Sequence, residues 1–291
     1  MTVESQRCAK CDGDRYRIEV AGSHATAVRC DCSSVCPDCH GSGVRYVEKG
    51  GATFAAACDC VALDRRIATY NAATIPAKFA GRFIEDIEEL DREGTQKRAK
   101  YALLEHRDRF APGERGFLLW GNPGVGKTHM LCGLIAYLAL ERGLSCRYVD
   151  FMQLIYDLKQ GFSQNRWESE VVGPLLAVDV LVIDELGKGR NSEWELSILD
   201  ELISARYNAR KTIHCTSNYA PEAAAGPAPA LSSLADGGPG IAASLQERLG
   251  ERIFSRLCEM CRFQEVRGED YRRRVVRKAA PRKTGTKDTG R

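Results

Sequence analysis

No stretch of the 291 residues comes near the ~18 consecutive apolar residues that a membrane-spanning helix needs. The first ten, MTVESQRCAK, lack the apolar core of a secretory signal, so a cytoplasmic protein without membrane contact is expected. Strong charge of either sign is also missing. The net charge of +3 is too small to argue a nucleic-acid partner from the whole chain. Hydrophobic content of 44% and charged content of 28% fit an ordinary soluble globular protein, and the length allows one full-sized domain plus something smaller. What is not scarce is cysteine. There are 13, eight of them within the first 60 residues, and in a reducing compartment clustered cysteines read as metal ligands before they read as disulfides.

Those eight form an internal repeat. Cys8, Cys11, Cys30 and Cys32 recur 28 positions later as Cys36, Cys39, Cys58 and Cys60, so that each copy reads C-x-x-C, then 18 residues, then C-D-C. Two cysteines separated by two residues present both thiolates to one tetrahedral Zn²⁺, and a second close pair brought back by a hairpin completes a four-sulfur shell. The stretches DRYRIEV and GVRYVEK predict that hairpin in each copy. Eight thiolates fit two zinc ions, and zinc can supply roughly 10–16 kcal/mol of folding free energy to such a small polar module. The spacing leaves two pairings open: one ion per copy, or Cys8/Cys11 with Cys58/Cys60 and Cys30/Cys32 with Cys36/Cys39. An iron–sulfur or redox dithiol site is the competing chemistry. CPDCH at 36–40 also matches the haem-attachment pattern, but the first copy has no equivalent histidine, and His40 is expected at the surface.

Further on, GNPGVGKTHM follows the apolar strand GFLLW (116–120) and opens an apolar helix, the context in which G-x-x-x-x-G-K-[ST] is a phosphate loop. Gly121, Asn122, Pro123, Gly124, Val125, Gly126, Lys127, Thr128 and His129 are the candidate ATP contacts. Lys127 is expected on the β- and γ-phosphates, and the Thr128 hydroxyl on Mg²⁺. The helix THMLCGLIAYLALERG is expected to be amphipathic and to stop at Gly143. VDVLVIDELG (178–187) is an apolar strand ending in two acids. Asp184 is placed as the Mg²⁺-orienting residue and Glu185 as the general base for an attacking water.

Three more strands are predicted, SCRYVD (145–150), KTIHCTSN (211–218) and CRFQEV (261–266). Helices are expected over about 96–110 and through the amphipathic LQERLGERIFSRLCEM. An Ala/Pro/Gly-rich loop fills 219–243, and the tail from Tyr271 is rich in Arg and Lys, suited to phosphate contact or to plain solubility. The remaining C-x-x-C, Cys258 and Cys261, is read as helix packing, as are Cys132, Cys146 and Cys215. The fold class is therefore α/β, a three-layer phosphate-loop domain with a parallel five-stranded sheet, preceded by a small duplicated zinc-ribbon-like domain. Its expected organisation is a tandem zinc-binding domain at 1–62, a linker at 63–80, the ATPase domain at 81–276 and a basic disordered tail at 277–291.

Taken in order, GNPGVGKTHM, LVIDELG, TSN, LGERIFSRLCEM and GEDYRRR resemble the AAA+ ATPases of the DnaC/DnaI helicase-loader group and, nearly as closely, the IstB transposition ATPases. The resemblance runs from about Ile75 to Val276. It implies that Asn218 is the sensor-1 residue near the γ-phosphate and that Arg256 is an arginine finger for a neighbouring subunit's site, with Arg252 as second candidate. Arg272 fits sensor 2, with Arg273 one residue away. It further implies self-assembly into a ring or spiral. Loaders of this group have a small N-terminal domain that grips the replicative helicase and in several binds zinc, and the cysteine module sits where that domain should be. A tandem duplication with eight cysteines departs from a single-zinc domain, and the 219–243 loop is longer than the core needs.

Three functions follow as expectations. The first is an ATP-dependent loader of a replicative DnaB-type helicase onto single-stranded DNA, with Phe151, Tyr156 and Lys159 as candidate DNA contacts unless they are core. The second is an IstB-like transposition ATPase on duplex DNA. The third is a zinc-ribbon adaptor or chaperone with a nucleotide switch.

Overall fold

The computed structural model describes residues 8–33, 35–88, 91–163, 168–222 and 243–273. Most of the 219–243 loop and all of the tail beyond Arg273 lie outside these residues.

The repeat in the sequence is a repeat in space. In the first copy β1 (Tyr16–Ala21) pairs antiparallel with β2 (His24–Arg29), and in the second β3 (Val44–Lys49) pairs with β4 (Ala52–Ala57). Each strand of the second hairpin starts 28 positions after its counterpart, in the same register. The second C-D-C opens helix α1 (Asp59–Ala72). This helix ends where Thr74 turns into the left-handed region (φ 53°), two residues ahead of Pro76.

The larger part is a five-stranded, all-parallel sheet in the order β6-β7-β8-β5-β9, formed by β5 (Gly116–Trp120), β6 (Cys146–Asp150), β7 (Val180–Asp184), β8 (Thr212–Ser217) and β9 (Cys261–Glu265). All five predicted strands appear, within a residue or two of their expected ends. Parallel strands are covered on both faces, so their side chains alternate between two cores. Phe117, Leu119, Val180 and Val182 join α1, α2 (Thr95–Arg109) and α3 (Lys127–Leu140) on one face. Leu118, Leu181, Ile183 and Ile213 join α4 (Phe151–Ser163), α5 (Glu168–Ala177), α6 (Glu193–Asn208), α7 (Leu245–Leu249) and α8 (Glu251–Met260) on the other.

Two helices differ from expectation. α3 is not amphipathic, because α1 and α2 cover the side turned away from the sheet and bury most of its residues. The stretch 245–260 is two helices. Gly250 at φ 79°, ψ 157° breaks it, a conformation that costs glycine little, and Ser244 with Glu247 forms a capping box at the start of α7.

The first cysteine hairpin is part of the first core. Tyr16, Ala25 and Ala27 are buried with Leu63 and Tyr70 of α1, and Asn71 grips the backbone of Ala27 at both its N–H (2.7 Å) and its carbonyl (3.0 Å). The segment after α1 in turn covers the β6 edge, with Tyr148 N–H on the Ala73 carbonyl and Thr74 Oγ1 on the Tyr148 carbonyl. An edge strand is thereby closed to further pairing.

Candidate functional site

The parallel register puts Trp120, Asp150, Asp184, Ser217 and Glu265 at one end of the sheet, where crevices form at a change of strand order. The 121–126 loop leaves β5 there. Two of its glycines are required by close approach: a Cβ on Gly121 would lie 2.1 Å from the Val266 carbonyl oxygen, and one on Gly124 would lie 2.0 Å from Asp270 Oδ1. The Tyr271 N–H donates to the Gly124 carbonyl, so the segment after β9 is docked on the loop. From the other side Gln96 Nε2 donates to the Val125 carbonyl (3.1 Å), while Asn122 and Pro123 are exposed.

Lys127 is buried, and its ammonium donates to the carbonyls of Gly121 and Asn122 (both 2.7 Å) and to Asn218 Oδ1 (2.9 Å). Burial pulls its pKa down to about 8, against the charges of Asp184 and Glu185, with Arg272 adding to the depression. A desolvated cation on a glycine loop beside a second cation is suited to an anionic group such as a polyphosphate.

Asp184 gathers three hydroxyls. Its Oδ1 accepts from Thr128 (2.8 Å) and Thr216 (2.5 Å), and its Oδ2 from Tyr148 (2.7 Å). A carboxylate beside the threonine that follows a phosphate-loop lysine is the donor set that fits Mg²⁺. The pairing arises because β8 lies between β5 and β7, so Thr216 and Asn218 reach both the acid and the loop. Thr216 also accepts the Glu185 N–H (3.0 Å). Glu185 sits at φ 57°, and its carboxylate is paired with Lys188 at 2.5 Å. Burial, then the charge of Asp184 and the hydrogen bond to it, raise the Tyr148 phenol above its ordinary value.

His129 is turned toward the segment ahead of α2. Its ring stacks on Phe79 at 6.0 Å, its Nε2 has no hydrogen-bond partner, and burial lowers its pKa against the pull of Asp86. Arg272 is exposed, with its Nε on Asp270 Oδ1 (3.1 Å). Arg256 lies apart from this cluster, where its Nη1 pairs with Asp200 of α6 at 2.9 Å and Arg252 approaches the same carboxylate at 3.5 Å. The loop after Glu185 is tied to the arginine-bearing helices by Arg248 of α7, which donates to the carbonyls of Gly187 and Gly189 and stacks on Tyr219.

The candidate DNA contacts separate. Phe151 is core, Tyr156 is exposed, and Lys159 pairs with Glu195 at 3.1 Å over Trp194. Cys258 is exposed on α8 while Cys261 begins β9 and is buried, so the packing role expected for both holds only for the second.

All 13 cysteines are free thiols. The two groups able to hold a metal among the described residues are Cys8/Cys11/Cys30/Cys32 and Cys36/Cys39/Cys58/Cys60, each with its sulfurs within 4.8 Å of one another. One tetrad per copy is thus the arrangement, not the crossed pairing. Contacts of 4.0 and 3.5 Å in the first and 3.5 and 3.4 Å in the second approach the ~3.8 Å edge of a tetrahedron with ~2.3 Å Zn–S bonds. The Lys10 amide, then the Cys32 thiol, draw Cys8 down to about 7. Desolvation opposes the charging of Cys39, but the Cys60 thiol and the Gly43 and Gly41 amides outweigh it and bring that thiol down to about 6. His40 is exposed and belongs to neither tetrad.

Sequence reasoning missed Tyr148, Thr216, Gln96 and Arg248. Thr216 is on β8 two residues before Asn218, which follows the strand's end, and that was a usable signal. The other three reach the site only through packing.

Comparison with known proteins places this geometry. The family described as IstB-like ATP binding protein matches residues 63–223. The replicative helicase loader DnaC of Buchnera aphidicola (from Acyrthosiphon pisum) is 29% identical over 131 residues, 44% of this chain and 52% of that protein. DnaC of Escherichia coli K12 is 29% identical over 96 residues, 33% of this chain and 39% of its own length. The chain thus spans about half the length, or less, of these curated relatives. A crystal structure of the DnaC helicase loader superposes with a TM-score of 0.53 at 27% identity, covering 65% of this chain and 99% of that one. One of DnaI, at 21% identity and a TM-score of 0.51, covers 64% and 90% and shares the fold.

Proposed function

Since the chain belongs to the IstB-like ATP-binding protein family, we propose that it is an ATPase that loads a replicative DnaB-type helicase onto single-stranded DNA, with nucleotide state timing assembly and release. The observation that carries the ATPase half is the meeting of Lys127 with Asn218 and of Thr128 with Asp184 at one end of the sheet. The loader half is supported by the likeness to DnaC over the same part of the chain.

In this reading the 121–126 amides and Lys127 bind the phosphates, which replace the two loop carbonyls and Asn218 as partners of the ammonium. Thr128 and Asp184 would hold Mg²⁺, which would supply charge neutralisation at the phosphates. Tyr148 and Thr216 keep the Asp184 carboxylate oriented. Glu185 accepts a proton from the attacking water once its carboxylate leaves Lys188, and Asn218 positions that water. Arg272 adds positive charge on the phosphate side. Arg256 leaves Asp200 to enter a neighbouring subunit's site, so turnover requires assembly into a ring or spiral. Each cysteine tetrad holds one Zn²⁺. Residues 1–62 form the zinc-binding domain, 63–80 join it to the ATPase domain at 81–276, and 277–291 are a basic tail. The protein works in the cytoplasm.

The family match itself favours a second reading, an IstB-like transposition ATPase assembled on duplex DNA. One experiment separates the two. Immobilised full-length protein is offered the host's replicative helicase and, separately, duplex and single-stranded oligonucleotides, each with ATP, ADP or no nucleotide. Helicase retention that depends on ATP and is lost in Lys127→Ala supports the loader. Failure to retain the helicase, together with ATP-dependent binding of duplex DNA, overturns it in favour of the transposition ATPase.

A further inference from the structure

The two zinc hairpins share one register but have opposite surroundings. In the first, the face formed by Tyr16, Ile18, Ala25 and Ala27 lies against α1 and is buried or half-buried. Its β2 edge is also taken, since Ala25 N–H donates to the Ile75 carbonyl and Ala77 N–H to the Ser23 carbonyl. A shift of 28 maps that face onto Val44, Tyr46, Thr53 and Ala55. Every one of these is exposed, and Tyr46 is 77% exposed. No described side chain grips the backbone of Ala55 as Asn71 grips that of Ala27.

The exposed apolar side chains are also concentrated in and beside the second copy. Val35, Val44, Tyr46, Val47, Phe54 and Val61 are six of the ten large exposed hydrophobics among the described residues. Val44 and Tyr46 lie on this face, whereas Val47 and its cross-strand partner Phe54 lie on the other face of the same hairpin. Single exposed apolar residues are ordinary, but several on one small module mark an interaction surface. A zinc ion on the Cys36/Cys39/Cys58/Cys60 tetrad would account for the folding of the second copy and would leave its apolar face unexplained.

We propose that the duplication divided the labour. The first copy is an internal anchor that seats this chain's own α1, and the second is a receptor whose Val44/Tyr46/Ala55 face takes an amphipathic helix of the partner helicase. The occupant is a helix because the equivalent face already holds one, through small residues (Ala25, Ala27) that let it approach closely and an asparagine that caps the strand edge. The partner helix therefore carries an aliphatic and aromatic stripe against Tyr46 and Ala55, with an amide or hydroxyl residue placed to meet the Ala55 backbone. This is a helix-in-groove mode of recognition. The identity of the partner rests on the loader reading, whereas the choice of copy and face rests on the repeat.

The test uses the full chain with ATP and the host's purified replicative helicase. Tyr46→Asp and Ala55→Arg alter the proposed face, and Phe54→Ser alters the opposite face of the same hairpin. Loss of a central aromatic anchor weakens retention by roughly 30-fold. We expect that loss in Tyr46→Asp and Ala55→Arg, little change in Phe54→Ser, and in all three unchanged zinc content and basal ATP turnover. If the wild type retains the helicase and both face variants do so equally well, the proposal is overturned and the loader reading stands. The proposed face is likewise overturned if Phe54→Ser alone loses the helicase, or if Tyr46→Asp loses binding to a labelled oligo-dT while keeping the helicase. If the wild type does not retain the helicase, both fall.

Discussion

The ammonium of Lys127 and the amide oxygen of Asn218, 91 residues apart in sequence, are joined by a 2.9 Å hydrogen bond. The bond exists because β8 is inserted between β5 and β7, which carries the polar end of one strand to the loop leaving another. Replacing Asn218 by Ala removes the group that a bound γ-phosphate would free for water positioning. Steady-state hydrolysis should fall by ~10²-fold with nucleotide affinity nearly unchanged, measured by phosphate release and by fluorescent-nucleotide titration.

Tyr148 tests whether Asp184 needs its hydroxyl partners. Tyr148→Phe keeps the ring and removes the bond to Oδ2. Loss of such a supporting bond should raise the Mg²⁺ concentration for half-maximal hydrolysis by about tenfold. Turnover at saturating Mg²⁺ should recover most of its value, since no reacting group has been removed.

The two cysteine tetrads should respond differently to ligand loss. Cys11→Ser and Cys39→Ser should each reduce the zinc content by one ion of the two that the tetrads can hold. Only Cys11→Ser loosens a hairpin whose Tyr16, Ala25 and Ala27 lie in the core of the ATP-binding domain. It should lower the melting temperature of that core by roughly 5–10 °C, while Cys39→Ser leaves it in place. Elemental analysis and calorimetry on the same samples check both halves.

Arg256 is held by Asp200 within its own chain, far in function from the loop it is proposed to serve. Arg256→Ala should reduce turnover by at least ~10³-fold, and wild-type turnover per chain should rise with protein concentration. Mixing Arg256→Ala with Lys127→Ala should restore part of the activity, because each supplies what the other's interface lacks. No recovery on mixing would mean that the arginine does not act across subunits.

Low pH should act through His214. The Phe117 N–H donates to its Nδ1 at 3.0 Å. Burial first, then the charges of His106 and Arg206, hold its pKa well below the ordinary value. The unfolded chain therefore binds a proton that the folded chain refuses. Stability is full above ~6.5 and is lost as pH falls below it, by up to about 1.4 kcal/mol per pH unit. In His214→Asn that part of the slope should vanish between pH 6.5 and 5.5 in denaturant titrations, leaving the contribution of His106, which burial also depresses.

Much of the fold was legible in local pattern. The short apolar runs GFLLW and VLVID, bounded by Gly or acids, read as buried strands, and the ends of all five strands were placed within a residue or two. The phosphate loop and the cysteine spacing were equally legible, since chelation and phosphate binding both demand fixed residue types at fixed intervals. α3 misled because its covering helices come from elsewhere in the chain, and the 245–260 break hid in a glycine that a helix can tolerate.

The sequence by itself determined the chemistry available: a phosphate-binding loop, an acidic strand end and eight thiolates in two equal sets. Only the tertiary structure decided how these are paired. It put one tetrad in each copy, set Thr216 and Tyr148 around Asp184, and buried one zinc hairpin while leaving its duplicate open. The physical reason is the same in each case. Spacing along a chain fixes which groups can meet within one turn or hairpin, whereas contacts across a sheet depend on strand order, and strand order is settled by the packing of the whole core.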